Sequence, residues 1–303
     1  MIRAVVSVGT NSTRLLVADG GAHPPRPLLQ RSIGTRVGEG LRETGLIQDA
    51  AMQRTLDAVR EHAAAARPLT QSIAAIATSA VRRAGNAAEF ADRVSAITGC
   101  PLQVISGEDE ARYSYSGAVS GLDAKPDETI GVSDPGGGST EFAAGRGERP
   151  ERVVSCEIGA VRLTERVPVL AGDRGEIRVG DIESARDAAY AALEPLAAFE
   201  PVQRLVFVGG TATTAVWLMS GSREPFEYGK FTREDVDALA ARLRALDLPA
   251  RKSLAGMNPQ RADILLAGLI IVSAVFERTG HRSAAVSTND LLMGYLVSLE
   301  KRR

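Results

Sequence analysis

Apolar residues along this chain fall into short β-rich runs separated by longer stretches of helical spacing. RAVVSV and TRLLVAD read as two strands joined through Gly-Thr-Asn-Ser. QDAAMQRTLDAVREHAAAARP predicts a helix, with Asp49 near its start and Pro68 ending it. SIAAIAT reads as a buried strand, NAAEFADRVSAITG as an amphipathic helix closed by Gly99, LQVIS as a strand, and EDEARYSYSGAVSGL as a helix. Strand–helix alternation of this kind indicates an α/β domain. Around LDAKPDE the pattern stops at polar residues and proline. It then restarts as TIGVSD, a glycine loop and EFAAG, repeating the strand–loop–strand opening of the chain. A boundary is therefore expected near 121–127, with a first domain over 1–123 and a second over 124–289. RLVFVGGTATTAVWL is a third strand-to-glycine turn, this time entering a helix. TREDVDALAARLRAL opens with a capping-box pattern, Thr232 with Asp235. PQRADILLAGLIIVSAVFERTG and DLLMGYLVSLEKRR predict the last helices. The final one, about 290–303, is expected to pack back on the first domain, with its basic end in solvent.

Composition narrows the class. A chain of 303 residues fits two domains, and 44% hydrophobic with 24% charged residues is ordinary for a soluble globular protein. A net charge of −1 argues against a strongly basic nucleic-acid binder while leaving room for a local basic cleft. Cys100 and Cys156 form neither a disulfide framework nor a metal-ligand spacing. The opening MIRAVVSVGTNS has no secretory character. The longest apolar run, Ile264 to Phe276, falls short of the ~20 residues of a membrane span. A soluble, cytoplasmic protein with no membrane or nucleic-acid partner is expected.

The chemistry centres on GVSDPGGGSTEF, residues 131–142. No lysine follows the glycines, which excludes GxxxxGK[ST]. Glu141 stands where GxGxxG needs its last glycine. What remains is a hairpin whose backbone N–H groups can form a concave anion site. Thr10, Asn11 and Ser12 form a comparable loop in the first half. Gly209, Gly210 and Thr211 form a third turn at a helix start, a position that favours phosphate or simply allows close helix–strand packing.

This arrangement resembles the actin, sugar-kinase and heat-shock-chaperone superfamily, with duplicated ribonuclease H-like α/β domains around a cleft. ATSAVRRAGN (77–86), ISGEDEAR (105–112), EIGAVRLTE (157–165) and VSTNDLLMG (286–294), in this order with DPGGGSTE, resemble the exopolyphosphatase and pppGpp phosphatase family, Ppx/GppA. The resemblance runs from the first strand to the final helix. It implies hydrolysis of terminal phosphate from inorganic polyphosphate, or of the 5′-γ-phosphate of pppGpp, with Mg²⁺ and in a homodimer.

Residue by residue, the resemblance makes Glu110 the base that activates water; read alone, it is a solvated acid in a helix's first turn. Glu141 becomes a second catalytic acid that positions metal or water, the alternative being a strand residue facing solvent. Asp134 becomes the metal-side carboxylate, or else a plain turn residue beside Pro135. Gly136, Gly137, Gly138, Ser139 and Thr140 supply donors to phosphate, as do Thr10, Asn11, Ser12, Gly210 and Thr211. Arg82, on the family's Arg-x-Ala-x-Asn pattern with Asn86, is the leading phosphate ligand, with an interdomain salt bridge as its alternative. Arg36 matches a family arginine or is a loop residue. His23, His62 and His281 fall outside the motifs.

Two departures stand out. Ser7 occupies the place of the family's first-loop Asp, and Leu292 the place of an arginine. The chain also lacks the C-terminal HD-type domain of longer members. These features favour polyphosphate over pppGpp, and Ser7 also raises a degenerate polyphosphate- or alarmone-binding sensor as an alternative. A sugar kinase is disfavoured by the Glu110 motif.

Overall fold

The computed structural model describes residues 1–301; Arg302 and Arg303, part of the expected basic helix end, lie outside the described residues. The chain builds two mixed sheets. In the first, β1 (Ile2–Val8), β2 (Ser12–Asp19) and β3 (Arg26–Gly34) form an antiparallel meander, and β4 (Ile73–Ala77) and β5 (Leu102–Val104) add in parallel, giving the order β3-β2-β1-β4-β5. In the second, β6 (Ile130–Pro135), β7 (Thr140–Arg146) and β8 (Arg149–Cys156) repeat the meander. There β9 (Arg204–Phe207) and β11 (Ser283–Ser287) continue in parallel, and β10 (Tyr228–Thr232) adds an antiparallel edge. Apart from β10, the two orders are the same. The repeated strand–loop–strand pattern is thus a duplicated domain, with the actin-like architecture expected from the resemblance.

The first sheet is covered on both faces, which is why β1 and β2 read as nearly continuous apolar runs. Ala4, Val6, Val8, Leu15 and Val17 pack under the helices Asp49–Ala66 and Ala87–Thr98. Val5, Leu16, Ala18 and Ile76 face the other way, against Leu291, Leu292, Met293 and Leu296 of the helix Leu291–Lys301. The helix Gly107–Ser120 lies between the halves. Ala111, Tyr115, Ala118 and Val119 pack on β6, β7 and β9, while Tyr113 meets Tyr295 edge-on at 5.3 Å.

In the second half, every residue from Leu265 to Phe276 of the helix Leu265–Thr279 is buried. That accounts for the longest apolar run, and no helix among the described residues is long and apolar enough to cross a membrane. This helix starts later than the periodicity suggests. Pro259–Arg261 is a separate 3₁₀ turn, capped by the Asn258 side chain on the Gln260 N–H. Gln260 and Asp263 there reach the first half: Gln260 Oε1 accepts from the Gly34 N–H at 2.9 Å and Asp263 pairs with Arg36 at 2.8 Å. β3 escapes a sequence reading because it is largely exposed, carries Pro27 and lacks alternation.

Candidate active site

The two domain-opening hairpins close with the same backbone bond. The Gly9 N–H donates to the Ser12 carbonyl at 3.0 Å, and the Gly136 N–H to the Ser139 carbonyl at 3.0 Å. Each loop is then anchored from behind. The N–H groups of Thr35 and Arg36 donate to the Asn11 carbonyl and that of Gly38 to Thr10. Ala160 and Val161, opening the helix Ala160–Arg166, donate to the carbonyls of Gly136 and Gly137 at 2.9 Å. The loops nearly touch: a Cβ on Gly138 would lie 2.6 Å from Thr10 Oγ1 and 2.8 Å from Ser79 Oγ. Only glycine permits that approach.

Between the hairpins lies a cleft of about 90 Å³, lined by Ser7, Thr10, Asn11, Ser12, Gly136–Ser139, Glu110, Asp134, Glu141, Gly209, Gly210, Arg14 and Arg261. Three carboxylates enter it. Asp134 and Glu141 are directly paired across the β6–β7 ladder, where like charges oppose each other. Glu110 comes from the first turn of Gly107–Ser120, started by Ser106 Oγ accepting from the Asp109 N–H. Its neighbours Glu108 and Asp109 are exposed and pair with Arg112, whereas Glu110 is 6% exposed. The alternative of a solvated helix-start acid does not fit this placement.

Burial, opposed by the hydrogen bond and charge of Arg82, pushes the Glu110 carboxyl up to about 7. Burial and then the Asp290 charge push Asp134 up to about 6, although Ser114 Oγ donates to it at 2.8 Å. Glu141, bonded by Ser155 Oγ at 2.7 Å, is raised well above the usual carboxylate range by burial and by Glu110 and Asp134. Such mutual elevation disfavours folding, and titratable groups tuned this way cluster at functional sites.

Several residues singled out in the sequence lie elsewhere. Arg82 is not on the cleft wall: Nη1 donates to Glu110 Oε1 at 2.5 Å and to the Ile105 carbonyl at 2.8 Å. A guanidinium so engaged grips the acid; it meets neither phosphate nor the second domain. Asn86 clips the backbone of Ile47, with bonds of 2.9 and 3.0 Å. The hydroxyls of Thr140 and Thr211 are spent on the carbonyls of Ile158 and Pro135, so both brace the loops from outside the cleft. Arg36, at φ 50°, holds Asn11 by its N–H and Asp263 by its side chain. His62, buried, bonds the Thr13 carbonyl behind the first loop, while His23 and His281 lie peripherally.

Comparison with known proteins fits this geometry. Residues 16–303 match the Ppx/GppA phosphatase family. The chain belongs to that family. Exopolyphosphatase 2 of Mycobacterium tuberculosis is 32% identical, with 98% of each chain covered. A bifunctional 3-dehydroquinate synthase/phosphatase of Fusobacterium nucleatum is 28% identical over 98% of this chain, which spans only 46% of that longer protein. Among solved structures, an exopolyphosphatase from Cytophaga hutchinsonii superposes with a TM-score of 0.89 at 25% identity, covering 100% of this chain and 98% of that one. The Aquifex aeolicus Ppx/GppA enzyme gives 0.80 at 28% identity, with 98% and 99% covered. As a Ppx/GppA member, the chain is a hydrolase of the exopolyphosphatase type.

Within this Ppx/GppA site the sequence reading missed two cations. Arg14 projects from β2 directly across from Ser7 and pairs with Asp290 at 2.5 Å. Arg261 lies over the third turn: a Cβ on Gly210 would fall 2.1 Å from its guanidinium, and one on Gly209, at φ 81°, 2.3 Å from Asp134 Oδ1. Burial and the like charge of Arg14 hold Arg261 down to about 10. A charged residue inside the otherwise apolar TRLLVAD was the available signal for Arg14. Arg261 sat inside what read as a helix.

Proposed function

We propose that this chain is an exopolyphosphatase that removes the terminal phosphate of inorganic polyphosphate. The observation that carries the reading is the buried trio of Glu110, Asp134 and Glu141, facing two phosphate-loop hairpins with Arg14 and Arg261 beside them. The terminal phosphate rests between residues 10–12 and 136–139, its charge offset by the two guanidinium groups. Glu110, poised near neutrality and oriented by Arg82, accepts the proton of the attacking water. The water oxygen bonds to the terminal phosphorus, the bridging P–O bond breaks, and its electron pair leaves on the shortened chain. Glu141, fixed by Ser155, positions the water.

The donor set fits Mg²⁺, which prefers oxygen ligands. Asp134, Glu141 and the buried, unpartnered Asn11 Oδ1 are hard oxygens, and a cation among the carboxylates would relieve their repulsion. Among the described residues no group of three or more ligating side chains is arranged to hold an ion by itself, so substrate oxygens and water complete the shell. The ion would supply charge neutralisation at the phosphoryl oxygens. Ser7 lines the cleft without adding a carboxylate. A cytoplasmic homodimer is part of the same proposal.

The test is phosphate release from polyphosphate and pppGpp, side by side, with and without Mg²⁺. Magnesium-dependent release, faster from polyphosphate, is expected. A higher kcat/KM for pppGpp would make the chain a pppGpp phosphohydrolase, and tight binding without turnover would make it a sensor.

A further inference from the structure

The catalytic cleft is small. At roughly 30 Å³ for a water's share of liquid volume, its 90 Å³ holds little more than one phosphoryl group. A linear substrate must therefore lie mostly outside it. Next to the cleft is a groove of about 630 Å³, and the two share the wall formed by Arg14, Gly209, Gly210 and Arg261. The groove runs between the halves, from β2 and β3 on one side to the helix Gly209–Ser220 and the 258–261 segment on the other.

Its charge is unlike that of the whole molecule. Acidic residues outnumber basic ones overall, 37 to 36, yet the groove is lined by four arginines, Arg14, Arg31, Arg223 and Arg261, against one carboxylate, Asp290. Asp290 is already taken by Arg14. Arg261 and Arg223 make no ion pair among the described residues. Arg223 rests on the face of Trp217, 5.3 Å from the ring centre, which fixes a free guanidinium at the outer end. Unpaired guanidinium groups along a concave wall suit phosphate oxygens.

We propose that this groove is a second anion subsite, which holds the phosphate chain beyond the terminal residue, entered past Arg14 and Arg261 and ending at Arg223 beside Trp217. This inference rests on the exopolyphosphatase reading. The linked phosphates could belong to an inorganic chain or to a guanosine polyphosphate; the groove is assigned to the inorganic chain because its cations continue to the far end. Arg223 acts here as a specificity residue for chain length.

Two measurements test the assignment. Trp217 is the only tryptophan in the chain, so fluorescence reports on the far end of the groove. Titration of the full chain, without Mg²⁺, should show a saturable change with long polyphosphate and little with tripolyphosphate. In steady state, R223A should raise the ratio of long-chain KM to tripolyphosphate KM about fivefold, R223E should raise it further, and R223K should retain most of the wild-type ratio. A purely structural role for Arg223 would lower kcat and thermal stability alike for both substrates, leaving the ratio fixed, and would sink the proposal. A Trp217 response to pppGpp but not to long polyphosphate would overturn it in favour of a nucleoside pocket. If the wild type releases phosphate from neither substrate, the exopolyphosphatase reading fails, and the fluorescence titration alone then decides whether the groove binds a phosphate chain.

Discussion

The two hairpins that open the domains share a backbone and differ in charge. Gly9 matches Gly136 and Ser12 matches Ser139 in the bond that closes each loop. The cross-strand pair beside that bond is Ser7 and Arg14 in the first hairpin, and Asp134 and Glu141 in the second. Duplication supplied two anion cradles; side chains then divided the work. The first hairpin presents a cation toward substrate charge, and the second concentrates carboxylates that repel one another. Backbone geometry alone therefore predicts where a phosphate can rest, while the pair of positions flanking it decides what can be done to it.

The sharpest break of this division is at the acid end. Glu110→Gln keeps size but cannot take a proton, so kcat should fall about 10²–10⁴-fold with polyphosphate binding retained; phosphate-release assays and binding titration check both halves. Next, exchanging the flanking residues should separate the two kinetic constants. Glu141→Gln is expected to lower kcat by about 100-fold with little change in KM, and Arg14→Gln to raise KM about tenfold. If both variants altered the same constant equally, the hairpins would not be divided as described.

A third test uses pH. Activity should rise through a limb near pH 7 as Glu110 loses its proton. Stability should run the other way. Native Glu110 and Asp134 hold protons up to about 7 and 6, while in the unfolded chain they release them near 4.5 and 3.8. Across that window the folded state binds more protons, so stability falls as pH rises. In metal-free buffer the Tm should drop between pH 5 and 7.5, and Glu110→Gln should raise the Tm at pH 7.5 by at least about 2 °C. The smallest expected effect makes the hairpins more alike. Ser7→Asp places a carboxylate across from Arg14 and should lower the half-maximal Mg²⁺ concentration about threefold; identical magnesium titrations would place the ion away from position 7.

Much of this was legible in sequence because it is local. Glycines between strand-like runs marked both hairpins, and Ser106 with three acids marked the helix that carries Glu110. What escaped depends on distant partners. Arg14 looks like a polar residue on a strand until Asp290, 276 positions away, meets it. Arg82 looks like a phosphate ligand until the turn at Ile105 brings Glu110 within its reach. The edge strand β3 and the break before Leu265 are set by contacts between the halves, which no local period records.

The packing of the helix Leu291–Lys301 also bears on how the chain acquires its structure as it is synthesised. Val5, Leu16, Ala18 and Ile76 leave the ribosome early, but the side chains that cover them come from 291–296. The first sheet thus waits, one apolar face open, until the entire second domain has been translated. That places the slowest and most aggregation-exposed step of biogenesis at the closing of the N-terminal half, and makes Asp290, which docks Arg14 as that helix arrives, part of the event that completes the active site.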